Sequence, residues 1–319
     1  MITRAAFVAG TAAALAAAPS FAGAQGLTKL LVSGSPDEDI KGTLWGVQSG
    51  IFAKYGLDVT VQLANSGAVV TAAVIGGSIN IGKGSLLNLL GAHIRGVPIV
   101  LEAPSAIWDT DLPESALVVA KGSPIRTGRD LNGKTISVPS LGDLYQISIS
   151  AWIDQHGGDS RTVKFLELPH RAAAESIAAG RVDAANIAPP VLTEAIQSGK
   201  VQMIGHAQDA IAKHFITTAY FCMAYFAQKN ADVMARFRRG LYEAAAYANA
   251  HPADIVPVLA KYTGFEEKTI AAMFSTPIGQ SPKQLDARMI QPIIDAAYKY
   301  KALPSDFPAK DILDPNAIG

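Results

Sequence analysis

Ser35, Ser85 and Ser140 each stand in a loop that leads into a stretch of helical period. A short hydroxyl there, beside the unpaired N–H groups of a helix start, can hold an oxyanion, although such a serine is more often only the cap. Trp108 and Tyr145 can stack on a ring or cover an apolar body, and a tryptophan so placed is more often core. His170 and Arg171, at the start of a later helix, could meet a carboxylate or sulfonate. Asp143 argues the other way. At the start of its own helix and facing the same space, it would repel an anion and accept from an amine, a hydroxyl or a heterocyclic N–H. The plain alternatives are that Asp143 only caps its helix and that Arg171 points to solvent.

Familiar catalytic patterns are missing. The run Gly77-Ser78-Ile79-Asn80-Ile81-Gly82-Lys83-Gly84 nearly spells a phosphate loop, but Gly84 stands where serine or threonine is required and the strand lies inside the spacer. There is no G-x-S-x-G elbow, and the six histidines are dispersed without a metal-ligand spacing. Cys222 is the single cysteine, so an intrachain disulfide is impossible and the residue reads as a small buried apolar group in a strand. No catalytic residue, metal or cofactor is expected.

What must position the candidate residues is a passage that occurs twice, about 100 residues apart. The first copy is Ala72-Ala73-Val74-Ile75-Gly76-Gly77-Ser78-Ile79-Asn80-Ile81-Gly82, and the second is Glu175-Ser176-Ile177-Ala178-Ala179-Gly180-Arg181-Val182-Asp183-Ala184-Ala185. Each reads as helix, glycine stop and short strand. Upstream, Thr43 and Asp143 open matching helices. Downstream, Gly84-Ser85 and Ala188-Pro189 lead into the next ones. A βαβ unit used twice predicts two lobes facing each other, with a ligand in the crevice at the carboxyl ends of the strands. The corresponding loops are Ser33–Asp39, Gly82–Ser85, Ala103–Asp109, Pro139–Asp143, Pro169–Arg171 and Asn186–Pro190.

From Asn230 onward the pattern is helical only, over Ala231–Asn249, Ala253–Tyr262, Glu266–Phe274 and Pro282–Tyr300, with a break at Thr276-Pro277. Such helices need a partner surface, and the first lobe is the simplest one. The spacing therefore predicts lobe 1 over 25–115 plus 221–319 and lobe 2 over 116–220, with hinge crossings near Pro113–Ala116 and Thr217–Phe221. A strand is expected at Val97–Ala103, followed by an irregular stretch that includes Trp108.

The N-terminus reads as a secretory leader over 1–24: Arg4, an apolar run from Ala5 to Ala18, and Ala22-Gly23-Ala24 as a small-residue cleavage pattern. The run is too short and too weakly apolar for a membrane span. A periplasmic protein, soluble after cleavage, is expected. The chain has 27 basic and 27 acidic side chains among 319 residues. Without Arg4 it is nearly neutral, which argues against nucleic acid or an acidic membrane surface as partner.

Three segments carry a family resemblance: Asp130-Leu131-Asn132-Gly133-Lys134-Thr135-Ile136-Ser137-Val138, Ile177-Ala178-Ala179-Gly180-Arg181-Val182-Asp183-Ala184, and Gly50-Ile51-Phe52-Ala53-Lys54-Tyr55-Gly56-Leu57-Asp58-Val59. Together they resemble the solute-binding proteins of ABC importers for nitrate, sulfonate, taurine and thiamine-pyrimidine compounds. The resemblance implies an α/β, type II periplasmic-binding-protein fold. It further implies that a monomer captures a small organic molecule, such as a sulfonate, carboxylate or pyrimidine, and delivers it to a membrane permease without altering it. The candidate ligand-binding set is Ser35, Thr43, Gly84, Ser85, Trp108, Gly142, Asp143, Tyr145, His170, Asn186 and Pro189. A sensor that docks on a receptor is the alternative. An enzyme of thiamine-pyrimidine synthesis is less favoured, because one cysteine cannot supply a cysteine-rich motif.

Overall fold

Two five-stranded sheets carry the chain in the computed structural model, which describes residues 26–35, 38–64, 66–189, 191–264, 266–273 and 285–318. The expected leader and the expected break at Thr276-Pro277 fall outside the described residues. The chain starts with β1 (Thr28–Gly34), α1 (Lys41–Gln48), α2 (Ile51–Lys54), β2 (Leu57–Leu63) and α3 (Gly67–Ile75). It continues through β3 (Ile81–Ser85), α4 (Leu86–Ile94) and β4 (Ile99–Asp109). The second sheet is built from β5 (Ala116–Ala120), β6 (Thr135–Val138), α5 (Leu144–Gln155), β7 (Lys164–Glu167), α6 (His170–Ala178), β8 (Ala184–Ile187), α7 (Val191–Gln197) and β9 (Val201–Gly205). The chain returns as β10 (His214–Met223) and ends in α8 (Ala224–Lys229), α9 (Ala231–Ala250), α10 (Pro252–Thr263), α11 (Glu267–Met273) and α12 (Gln291–Lys299).

The two sheets share one plan, β2-β1-β3-β10-β4 and β7-β6-β8-β5-β9. Three parallel strands are joined through helices, as parallel pairing requires, and an antiparallel strand follows: β10 beside β3, and β5 beside β8. The repeated passage explains the match. Asn80 Oδ1 accepts from the Leu31 N–H at 2.8 Å while the Asn80 N–H donates to the Leu31 carbonyl at 3.0 Å. Asp183 repeats the clasp on Thr135, with both bonds at 2.8 Å. The polar residue before each central strand thus fixes the neighbouring parallel strand in register.

Two expectations need correction. The strand expected to stop at Ala103 runs on to Asp109, because β10 pairs with it from Met223↔Ile99 to His214↔Asp109. Pro104, which has no N–H to give, sits opposite Ala219 beside register shifts in that ladder, a position where proline is tolerated. The return crossing expected at Thr217–Phe221 lies inside β10, so the chain passes back between Gly205 and His214, and a boundary after residue 220 would cut a strand. The outward passage from the first sheet to the second runs between Asp109 and Ala116.

The terminal helices cover the first sheet. Met234, Phe237 and Leu241 of α9 pack against Leu30, Val32 and Ile81, while Ile293 and Ile294 of α12 pack with Leu86 and Leu90 of α4. A buried contact in this region is ionic. Arg238 of α9 pairs with Glu102 of β4 and, at 3.4 Å, with Asp314, and donates to the Asn316 carbonyl at 2.8 Å. Cys222 is buried in β10, and its thiol donates to Glu102 at 3.2 Å.

In the turn between β5 and β6, Gly128 lies against the end of α5, where a Cβ would stand 2.2 Å from the Ile153 carbonyl oxygen. A backbone atom cannot yield like a side-chain tip. Gly128→Ala is therefore expected to destabilise the fold by about 1–3 kcal/mol, measured by urea unfolding.

Candidate functional site

A cavity of about 580 Å³ lies between the two sheets. Its walls come from the places where strands end and helices begin. Ser85 closes β3, Ser140 to Asp143 follow β6, and Ala188 and Pro189 follow β8. Backbone N–H groups at helix starts and loop ends face such a crevice because the parallel strands all run towards it. Leu87, Ala106, Trp108, Leu141, Leu144 and Tyr145 supply an apolar and aromatic surface, and Ser115, Gln208, Thr217 and Thr218 supply neutral polar groups. The charged lining residues are Asp39, Glu114 and Asp143; no lysine, arginine or histidine lines the cavity among the described residues.

Of the candidate residues, the structure brings Ser85, Trp108, Gly142, Asp143, Tyr145 and Pro189 to this cavity. Trp108 is 2 % exposed and packs beside Phe215, and its indole N–H donates to Asp209 at 3.0 Å. Gly142, at φ 77°, makes the left-handed turn that lets Asp143 cap α5. Asp143 accepts from the Gln146 N–H at 2.9 Å and the Ser140 N–H at 3.2 Å. Burial pushes its carboxyl up to about 6 against the pull of those backbone bonds. Burial likewise raises the Tyr145 phenol, with Glu114 and then Asp143 adding to the shift.

Other candidates lie elsewhere. Ser35 follows β1 and is not a lining residue. Thr43 is the third residue of α1 rather than its cap, and its hydroxyl is buried against the Tyr220 hydroxyl at 2.6 Å. Its match to Asp143 therefore fails by helix position. Gly84 is inside β3, paired with Ala219. His170 stands behind Tyr145, edge to face with centroids 5.5 Å apart. Burial lowers its pKa against a hydrogen bond to the Asn186 backbone, and its Nδ1 has no partner among the described residues. Arg171 is exposed and pairs with Glu194 at 3.3 Å.

Asn186 acts from behind the wall. Its amide nitrogen donates to Ser115 Oγ at 3.1 Å and to Gln208 Oε1 at 3.3 Å, and Gln208 Nε2 donates to Ser115 Oγ at 2.6 Å. Sequence reading missed Ser115, Gln208 and Glu114 as site residues: Ser115 reads only as the first residue of a strand, and no motif marks the other two. Asp39 and its partner both fall in expected loops, Ser33–Asp39 and Gly82–Ser85: Lys83, the lysine of the broken phosphate loop, is buried and ion-paired to Asp39, whose other oxygen accepts from Thr218.

Residues 38–255 match the model of the family NMT1/THI5 like. The chain belongs to that family. Among solved structures, it is similar to the periplasmic aliphatic sulphonate binding protein SsuA from Escherichia coli, with a TM-score of 0.75 and 19% identity over 90% of this chain and 92% of that one. The alkanesulfonate-binding protein SsuA from Xanthomonas axonopodis pv. citri, bound to MOPS, gives 0.69 and 18% over 91% and 99%. A mutant of DSZB in complex with biphenyl-2-sulfinic acid gives 0.64 and 13% over 90% and 96%. These likenesses and the paired strand orders establish the type II periplasmic-binding-protein fold for this member of the family. No group of side chains fit to hold a metal ion occurs among the described residues, and no helix among them is long and apolar enough to cross a membrane.

Proposed function

We propose that the chain is the solute-binding component of an ABC importer, working as a periplasmic monomer once residues 1–24 are removed. It captures one small organic molecule between its lobes and hands it to a membrane permease. The observation that carries this is the cavity of about 580 Å³ held between two sheets that, among the described residues, two passages of chain connect. That volume suits a small organic ligand. The passages run side by side: His214 pairs with Asp109, and the Thr110 N–H donates to the Lys213 carbonyl at 3.0 Å. Such a pair of connections bends as a hinge.

Binding is favoured over turnover because the cavity lacks the parts of a nucleophilic site. Among the described residues its lining holds no cysteine or histidine, and Ser115 is bonded to two amides rather than to a base. The single cysteine, Cys222, is buried in the first sheet. The names of the Escherichia coli and Xanthomonas structures support the binding role.

The test is native mass spectrometry for a co-purified small molecule, followed by thermal unfolding and small-angle scattering with that molecule added back. At a hundredfold excess over Kd, mass action stabilises the folded state by about 2.7 kcal/mol, so the unfolding midpoint rises. The radius of gyration is expected to fall as the lobes close. Turnover of a substrate with no bound molecule and no midpoint shift refutes the proposal.

A further inference from the structure

The cavity is sorted by hydrogen-bonding polarity, and on the side of the second sheet the sorting is hostile to anions. The loop before α5 is where backbone N–H groups would otherwise cradle an oxyanion. Here the chain fills that cradle itself: the Ser140 N–H donates to Asp143, Leu141 to Glu167 at 3.2 Å, and Gly142 to Gln146 at 2.8 Å. The nearby cations that would offset an anion are committed elsewhere, Lys83 to Asp39 and Arg171 to Glu194. His170 is behind Tyr145, and burial favours its neutral form. Glu114 and Asp143 remain on the lining, both near enough to Tyr145 to act on its phenol. Carboxylates beside an aromatic face are the usual surroundings of an organic cation.

A second observation concerns Ser115, which is buried at 1 % exposure yet lines the cavity. Its oxygen already accepts from Asn186 and Gln208, which occupies both acceptor positions of a hydroxyl. Its proton has no acceptor among the described residues, so it is a donor fixed in the cavity wall. On α4, Ser85 leaves the first turn without a side-chain cap, and Leu87 and Asn88 of that turn also line the cavity.

We propose that the ligand is an organic cation: a protonated amine, held by Glu114 and Asp143, on an apolar or aromatic body that also carries a hydroxyl or carbonyl oxygen for Ser115. This rests on the binding role proposed above and narrows it, since sulfonates and carboxylates are then excluded.

The experiment compares probes of one shape and opposite charge on protein freed of bound molecules by unfolding and refolding. Phenethylamine and 2-amino-1-phenylethanol are set against phenylacetate and 2-phenylethanesulfonate, by calorimetry and thermal unfolding. The amines are expected to bind and the anions not. Asp143→Asn, which keeps a capping side chain, and Glu114→Gln should each weaken amine binding about tenfold or more without lowering the unfolding midpoint. Ser115→Ala should weaken the amino alcohol more than phenethylamine. Anions binding as tightly as the amines, amine affinity unchanged in both carboxylate variants, or no amine binding at millimolar concentration each overturns the proposal. If an anion or a neutral pyrimidine binds in place of the amines, the importer role survives and only the ligand class falls. If no class binds and no molecule co-purifies, the binding role falls with it.

Discussion

Arg238→Met is expected to lower the stability of the fold by about 3–5 kcal/mol at pH 8, and by clearly less at pH 5. Arg238 is 7 % exposed, and its two carboxylate partners, Glu102 and Asp314, are 0 % and 3 % exposed. Removing the guanidinium leaves two like charges buried side by side, and the Asn316 carbonyl loses its donor as well. The pH dependence follows from Glu102. Burial pushes its carboxyl up from 4.5 to about 7, with repulsion from Asp314 adding to the rise and Arg238 opposing it. The folded state therefore holds a proton that the unfolded state releases, and this group's stabilisation falls as pH climbs from about 4.5 to about 7. Without Arg238 the folded pKa rises further, so the loss extends to higher pH and grows. At pH 5 Glu102 is already neutral, and the variant lacks mainly the pairing with Asp314. Guanidinium chloride unfolding at pH 5, 6, 7 and 8 measures this; equal losses at pH 5 and pH 8 would show that Glu102 is not the responsive group. Adding Glu102→Gln to Arg238→Met should recover much of the loss at pH 8, because a neutral amide replaces the stranded charge.

The same network shows how far the sequence could be read. The repeated passage was legible because its signals are local: a helical period, a glycine stop, and Asn80 or Asp183 one step before a strand. What the sequence concealed was pairing between distant positions. Ser115 and Gln208 are 93 residues apart, and Arg238 and Glu102 are 136 apart, with no periodic relation linking them. Trp108 illustrates the same limit within one element. Pro104 and the small residues around it suggest an irregular loop, but ladder bonds from β10 hold the segment extended. Thr43 and Asp143 looked equivalent because each opens a helical stretch, one running Leu44-Trp45-Gly46-Val47 and the other Leu144-Tyr145-Gln146-Ile147. One is inside its helix and the other at its cap, a difference of three positions that sequence reading does not resolve. The cavity side chains placed by local caps and strand ends, such as Ser85, Asp143 and Pro189, were within reach, whereas Glu114, Ser115 and Gln208 depended on the chain crossing between sheets.

Trp108 sits where core and cavity meet, so its two substitutions should separate these roles. Trp108→Ala removes a ring that is 2 % exposed and packed in the same cluster as Phe215, Leu89 and Ile107, and is expected to cost about 3–5 kcal/mol of stability. Trp108→Phe keeps an aromatic ring there and loses the indole N–H to Asp209. Because Asp209 is exposed, water takes the place of that donor, and the expected loss stays below about 1.5 kcal/mol. Fluorescence then isolates the cavity role. The chain has three tryptophans: Trp45 stacks on Tyr247 with centroids 4.7 Å apart, Trp152 stacks on His156 at 4.1 Å, and only Trp108 lines the cavity. A ligand entering the cavity should therefore change emission through Trp108 alone. In Trp108→Phe the ligand-induced change is expected to vanish while calorimetry still detects binding, weakened by the smaller ring. A fluorescence change that persists in this variant would place the ligand against a different surface, since neither remaining indole reaches the space between the sheets.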